Sequence, residues 1–379
     1  MLRFLPWIEI RTTSCLLIQV PMSARGRGLR QLTPGGGEVW LASLCRFGDP
    51  IMGRRAFISG VACGLLVTSL NVNAQRTEKV ARIGMLCPVR CEGLAYEALR
   101  DGLRSAGWIE GGNLRIEYRA ADGKADVLAA LAQDLVALKP ELIVTIGPQT
   151  SRAAKNATGS IPILFVAVAD PVRVGLVESL ARPGGNVTGL ATVVPGGFIG
   201  KSLEQLKHAV PTATRIAVLL NPTSETNRTL FALEAPAAAR QLGIQFQVLE
   251  ARTAEEIEPA IDAAVNGRAD ALYVPGDSLF HNPVQRIPNL AARARLPALY
   301  FVPDVVTAGG GLMSYGPDFN EIFRRTALYI DKILKGAKPT DLAVEQPTKY
   351  KLVINLRTAK ALDITIPKSV LLRADELVQ

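Results

Sequence analysis

Short apolar runs rich in β-branched residues recur along this 379-residue chain, each followed by turn residues and then by a stretch of helical periodicity. The alternation is seen at least seven times beyond residue 80. It limits the fold more than any motif does, because strands that read as continuous apolar runs separated by helices belong to parallel sheets covered on both faces. Runs at 80–86, 114–120, 141–146, 161–169 and 186–192 form a first set, with helices expected at 94–106 and 125–138. The pattern then restarts. A helix at 198–209, stopped by Pro211, precedes runs at 215–220, 244–250, 271–274, 296–301 and 309–315, with helices expected at 230–242, 255–266 and 284–294.

The expected fold class is α/β, with two doubly wound parallel-sheet lobes in tandem. Segments after residue 310 exceed a simple two-lobe count. An amphipathic helix at 319–334, ended by Gly336, is expected to return to the first lobe, and a strand at 344–354 to the second, so that the lobes are joined by a three-strand hinge. The boundaries that follow are 80–191 with 313–340 for the first lobe and 192–312 with 341–379 for the second.

Residues 52–75 read as an export signal lying inside the open reading frame. Arg54 and Arg55 form a charged start, 57–70 an apolar stretch, and Val72-Asn73-Ala74 a small-residue cleavage site, so cleavage is expected after Ala74. The apolar stretch, about 14 residues, is short of the roughly 20 that span a bilayer. A buried helix is the alternative, but the segment has neither caps nor a polar face. The arginine pair only partly matches the twin-arginine export pattern, leaving the export route open. Gly60 stands where a lipoprotein reading of Cys63 needs an aliphatic residue. Residues 1–51 show no sustained period and contain a Pro-Gly-Gly-Gly run at 34–37, so they read as an upstream mis-called start, with Met52 the initiator.

Without the first 75 residues, which carry 8 of the 43 Lys+Arg and 3 of the 34 Asp+Glu, the formal charge falls from +9 to +4. A basic run with interleaved aromatics is absent, and a nucleic-acid partner is not expected. Cys87 and Cys91 lie four apart in a Cys-Pro-Val-Arg-Cys turn. In an oxidising compartment they either pair as a short-loop disulfide or remain two small thiols. With two histidines in the chain, His208 and His281, neither near that pair, a metal site is not expected.

Parallel sheets place ligands beyond the carboxyl ends of their strands, where helix N-termini offer unpaired amides. The loops there are polar and marked by proline: Cys87-Pro88, Gly147-Pro148-Gln149-Thr150-Ser151 and Asp170-Pro171 in the first set, Asn221-Pro222-Thr223-Ser224, Pro275-Gly276-Asp277-Ser278 and Pro303-Asp304 in the second. Thr150 and Ser151 either direct hydroxyls and amides at an anion or cap a helix. Asp170, Asp277 and Asp304 either accept from a ligand or initiate turns. Enzymatic patterns are incomplete. Residues 80–93 lack the glycines of a dinucleotide loop, Pro195 breaks the phosphate-loop pattern at 195–202, and a G-x-S-x-G elbow precedes neither histidine. No catalytic residue, cofactor or metal is therefore expected.

At DPVRVGLVESLARPGGNVTG (170–189) and GLMSYGP (311–317) the chain resembles the substrate-binding proteins of ABC transporters, in the subgroup that includes tryptophan and aromatic amino-acid binders. Co-linear matches at 142–162, 331–336, 345–350 and 352–362 extend the resemblance over nearly the whole chain beyond the leader. It implies a type I periplasmic-binding fold, a monomer closing on a small ligand such as an amino acid, and delivery to a membrane permease driven by a separate ATPase. Carried residue by residue, it puts the ligand against the loops from Gly147 to Ser151 (with Gln149 and Thr150), from Val168 to Asp170 and from Asn221 to Ser224, and against Asp277. The Cys87-to-Cys91 turn departs from a family loop that is more often rich in Ser and Pro, and Pro275-Gly276-Asp277 from a more aliphatic one. A periplasmic sensor partner, or an α/β enzyme using Asp170 or Asp277, are the rival readings; a regulator of the same fold would need a helix-turn-helix before residue 80.

Overall fold

The computed structural model describes residues 80–379; the expected export signal at 52–75 and the extension at 1–51 lie outside the described residues. Five strands, β1 (Ala81–Cys87), β2 (Leu114–Ala120), β3 (Leu142–Ile146), β4 (Ile163–Val168) and β5 (Val187–Ala191), form a parallel sheet in the order β2-β1-β3-β4-β5. The central strands are buried on both faces, as their unbroken apolar sequences require. Ile83, Met85, Val144 and Leu164 pack on one face, Leu86, Ile143 and Phe165 on the other.

The second sheet contains β6 (Arg215–Leu220), β7 (Gln245–Glu250), β8 (Ala271–Val274), β9 (Ala298–Tyr300), β10 (Met313–Pro317), β11 (Tyr350–Asn355) and β12 (Glu376–Val378). Its order is β12-β11-β10-β9-β8-β6-β7. The run β7-β6-β8-β9-β10 repeats the order of the first sheet, and only the β10–β11 pair is antiparallel. Each sheet thus has a switch point at its centre, between β1 and β3 and between β6 and β8, where successive connections leave in opposite directions and open a crevice at the strand ends.

The chain passes between the sheets three times: from Ala191 to the helix Phe198–Ala209, from Pro317 to the helix Phe319–Leu334, and from Glu345 to Tyr350. The helix Phe319–Leu334 buries Phe323, Ala327 and Ile330 in the first-sheet core beside Leu99 and Leu103. Met313–Pro317, expected with the first lobe, instead hydrogen-bonds between β9 and β11, so the return begins at the crossing after Pro317. It also runs past residue 340: the Val344 amide donates to Leu180 O at 2.7 Å and the Glu345 amide to Gly189 O at 3.0 Å. The strand expected at 344–354 is therefore two segments, one on each sheet. Among the described residues no helix is long and apolar enough to cross a membrane.

Candidate functional site

The carboxyl ends of both sheets converge on one cavity of about 180 Å³. From the first sheet come Pro88 after β1, Gly147, Pro148 and Gln149 after β3, and Ala167 and Ala169 at the end of β4. Ala167 has φ 62° at a bulge in the β4–β5 ladder, a costly conformation for a non-glycine residue that turns the strand end at the cavity wall. The second sheet contributes Ser224 and Asn227 after β6, Pro275 to Ser278 after β8, and Phe301 and Val302 after β9. Phe198 and Phe319, the first residues of the helices that follow two of the crossings, complete it.

The wall is polar at two places and apolar between them. On the first sheet, Gly147 at φ 86° turns the chain into the helix Pro148–Ala157, whose opening amides at Gln149 and Thr150 have no acceptor one turn back. On the second, Asp277 is 8 % exposed and caps the short helix Ser278–His281, accepting from the Leu279 amide at 3.0 Å. Asn221 and Asn227 amides approach its two oxygens at 3.4 Å each. Burial raises the Asp277 carboxyl above the ordinary carboxylate range, against the pull of Leu279, Asn221, Ser224 and Asn227. Among the described lining residues Asp277 is the only acid, and none is Lys or Arg. The apolar part is aromatic: Phe301 meets Phe198 edge-on at 5.5 Å and Phe319 at 5.9 Å.

The expected site residues divide cleanly. Pro88, Gly147, Gln149, Ser224 and Asp277 line the cavity; Cys87, Thr150, Ser151, Asp170, Asn221 and Asp304 do not. Thr150 and Ser151 are buried, with the Thr150 hydroxyl donating to Ile146 O and the Ser151 hydroxyl to Gly147 O, each at 2.6 Å, so neither hydroxyl faces the cavity. Asp170 accepts from the amide and Nε of Arg173, closing a turn. Asn221 accepts from Thr223 and supports Asp277 from behind. Asp304 opens the helix Asp304–Thr307 away from the cavity; burial, with Asp318 and Glu376 nearby, raises its carboxyl. Cys87 is fully buried in the first-sheet core and is disulfide-bonded to Cys91, with Cα atoms 5.8 Å apart.

The aromatic wall, Asn227 and His281 were not anticipated. Asn227 carried a signal, since its i,i+3 relation to Ser224 places both on one side of a helix start. His281 carried none, because the four-residue helix that holds it is too short for periodicity to report. Its Nε2 lies 3.1 Å from Pro275 O, and its Nδ1 is buried without a partner among the described residues. Burial lowers its pKa from 6.5 to about 4, so the folded state carries it neutral. The unfolded chain therefore binds a proton first as pH falls, and stability is lost between about pH 6.5 and 4. The difference between wild type and His281→Gln in urea-unfolding free energy is expected to change by up to about 3 kcal/mol across that window.

Two ion pairs and one hydrogen bond tie the parts together. Arg152 of the first-sheet helix Pro148–Ala157 donates to Glu225 of the second-sheet helix Glu225–Leu242 at 3.0 Å, beside the cavity residues Pro148, Gln149 and Thr226. Lys351 pairs with Asp318 at 2.6 Å between the second and third crossings. The Val194 amide donates to the Tyr350 hydroxyl at 2.8 Å, joining the first crossing to the third.

The sequence profile of the ABC transporter substrate-binding proteins matches residues 82–378. A tyrosine-binding protein from Clostridioides difficile is 31% identical over 270 residues, covering 71% of this chain and 76% of that one. A domain solved in complex with L-Trp from Streptococcus pneumonia superimposes with a TM-score of 0.72 at 28% identity, covering 79% of this chain and 99% of that one. The ligand-free, open structure of a substrate-binding protein with adhesive properties from Clostridium difficile superimposes with a TM-score of 0.56 at 30% identity, covering 79% of this chain and 100% of that one.

Proposed function

The chain belongs to the ABC transporter substrate-binding protein family, and from that premise we propose that it is the extracytoplasmic solute-binding component of an importer, capturing an aromatic amino acid between its two lobes and handing it to a membrane permease powered by a separate ATPase. The observation that carries the ligand class is the wall of the cavity. A buried carboxylate at Asp277 and the opening helix amide at Gln149 lie on opposite sheets, with Phe198, Phe301 and Phe319 also on the wall. A zwitterion with an aromatic side chain satisfies all three at once: ammonium on Asp277, carboxylate on the helix start, ring among the phenylalanines. At roughly 10–15 Å³ per water-sized group, a cavity of about 180 Å³ holds about 12–18 such groups. That suits a single amino acid. The L-Trp and tyrosine ligands of the relatives support the same class.

In this reading the protein is exported, with the leader cleaved after Ala74, and works as a monomer in the periplasm without cofactor or catalytic chemistry. The lobes are 80–191 with 318–345 and 192–317 with 346–379, and the three crossings form the hinge. A ligand held by both lobes stabilises the closed arrangement only by its preference for that arrangement, and closure is what the permease reads. The Arg152–Glu225 pair and the closer fit to the L-Trp complex than to the open structure support a closed arrangement here.

A thermal-shift screen of amino acids and small organic acids tests this function. L-Trp or L-Tyr at saturating concentration is expected to raise the melting temperature by about 5 °C or more; stabilisation by none of the compounds contradicts the proposal. Because Arg152 and Glu225 are half-exposed or more, their pair is worth at most about 1 kcal/mol. Arg152→Ala or Glu225→Ala is expected to weaken L-Trp binding about 2- to 5-fold, chiefly through faster release in stopped flow, and the charge-swapped double variant to restore it.

A further inference from the structure

The disulfide forms part of the frame of the ligand cavity. Cys87 ends β1 at the first-sheet switch point, and the next residue, Pro88, lines the cavity. From Pro88 to Gly93 the chain has no helix or strand, and no backbone amide from Val89 to Gly93 donates a hydrogen bond to a described residue. Two restraints fix the wall: the Gly123 amide donates to Pro88 O at 2.8 Å, and the covalent bridge ties Cys87 to Cys91. On the core side, the bridge sulfur of Cys87 sits 3.7 Å from the Tyr96 hydroxyl, and Tyr96 packs edge-on against Phe323 at 5.1 Å. The bridge is therefore anchored at Cys87 in the core and grips a loop whose own amides from Val89 to Gly93 donate no hydrogen bond to a described residue.

We propose that the Cys87–Cys91 disulfide is a positioning element for ligand binding, holding the Pro88 wall against the ligand so that this loop is already ordered when the lobes close. Preorganisation of this kind raises affinity by removing the entropy of ordering a wall on binding. A bridge closing so short a loop removes less entropy from the unfolded chain than a long-range one, so in a chain of this size its loss is expected to lower the melting temperature by only a few degrees. Cys91 is half-buried, within reach of a small dithiol. Reduction transfers two electrons and two protons from the dithiol, which closes to its own cyclic disulfide, and leaves thiols at Cys87 and Cys91. Affinity for the ligand is thereby coupled to the thiol redox state of the compartment. This inference rests on the cavity being the site for an aromatic amino acid.

The test measures L-Trp and L-Tyr affinity by calorimetry on the oxidised protein, on the same protein after dithiothreitol with both thiols confirmed by mass, and on the Cys87→Ala/Cys91→Ala variant, with melting temperatures alongside. The expected result is a Kd raised roughly 5- to 10-fold in both the reduced and the variant protein, with melting temperatures within a few degrees of the oxidised form. A Kd unchanged within about 2-fold overturns the inference and leaves the cavity reading intact. Unfolding on reduction also overturns it, by making the bridge a support of the fold and not of the wall. Absence of binding to the oxidised protein instead removes the proposed ligand class.

Discussion

Asp277→Asn is expected to weaken L-Trp or L-Tyr binding by about 30-fold or more while leaving the ligand-free protein as stable or more stable at pH 7. The ammonium of the ligand meets Asp277 in a site without another formal charge among the described lining residues, so losing that partner strands a desolvated cation. Removing one member of such a pair costs about 2–5 kcal/mol. Without ligand the balance reverses. The wild-type carboxylate is buried, raised above its ordinary range, and receives two of its amide hydrogen bonds at a long 3.4 Å. An uncompensated buried charge is a standing cost that a neutral amide avoids, by about 1 kcal/mol.

The sign with pH follows from the same shift. A carboxyl whose folded pKa is raised destabilises the fold above that pKa and ceases to do so as pH falls through it, so Asp277→Asn gains most at neutral pH. His281, four residues on, works in the opposite sense, because its lowered pKa loses stability over the acid side of neutrality. Urea unfolding of wild type, Asp277→Asn and His281→Gln from pH 7.5 to 4.5, with calorimetric Kd values at pH 7.5, separates the two groups. A ligand-free Asp277→Asn protein clearly less stable at pH 7.5, or one that binds within 10-fold of wild type, contradicts the assigned role.

Gly316→Ala is expected to destabilise the protein by at least about 3 kcal/mol or to prevent accumulation of folded chain. Gly316 lies in β10, one residue before the second crossing begins, and a Cβ there runs into the carbonyl oxygen of Phe301. The obstacle is the backbone just after the adjacent strand β9 and has no rotamer to swing away. Relief requires moving β10 from β9, which displaces Phe301 and Val302 in the cavity wall. Surviving Gly316→Ala protein is thus expected to bind weakly as well. Gly200→Ala is the matched control: it lies in the helix Phe198–Ala209 with its nearest obstacle, the Ala238 Cβ, at 3.9 Å. There alanine is expected to stabilise by about 0.5–1 kcal/mol. Equal effects of the two substitutions on the urea midpoint contradict the packing described.

The alternation of apolar runs and helical periods located every strand of the first sheet to within two residues, because buried parallel strands write themselves as unbroken runs of Val, Ile and Leu. What it missed has particular causes. The run at 309–315 was placed too early since its glycines serve the end of the helix Asp304–Thr307, with Gly309 and Gly311 amides donating to Asp304 O and Val305 O. β12 is three residues long, and Glu376 and Leu377 are exposed, so it leaves no apolar signature. At the cavity, the strand-end rule named loops that reach the wall at Pro88, Gly147, Gln149, Ser224 and Asp277, while other side chains in the same loops do not line it. Thr150 and Ser151 sit in the first turn of the helix Pro148–Ala157 with their hydroxyls turned back to Ile146 O and Gly147 O, and Asp170 closes on Arg173, choices made by rotamers that spacing cannot encode. The aromatic wall was hidden for a different reason. Phe198, Phe301 and Phe319 come from distant parts of the chain and meet only because the connections cross between the lobes.

Isothermal titration of the purified chain beginning at Gln75 with L-Trp and with L-Tyr is the most direct test of a two-lobed protein gripping one aromatic zwitterion. Saturable binding of one ligand per chain, at a micromolar or tighter Kd corresponding to about 8 kcal/mol or more, is the predicted result for at least one of the two. Absence of saturable heat for both at millimolar concentration contradicts it.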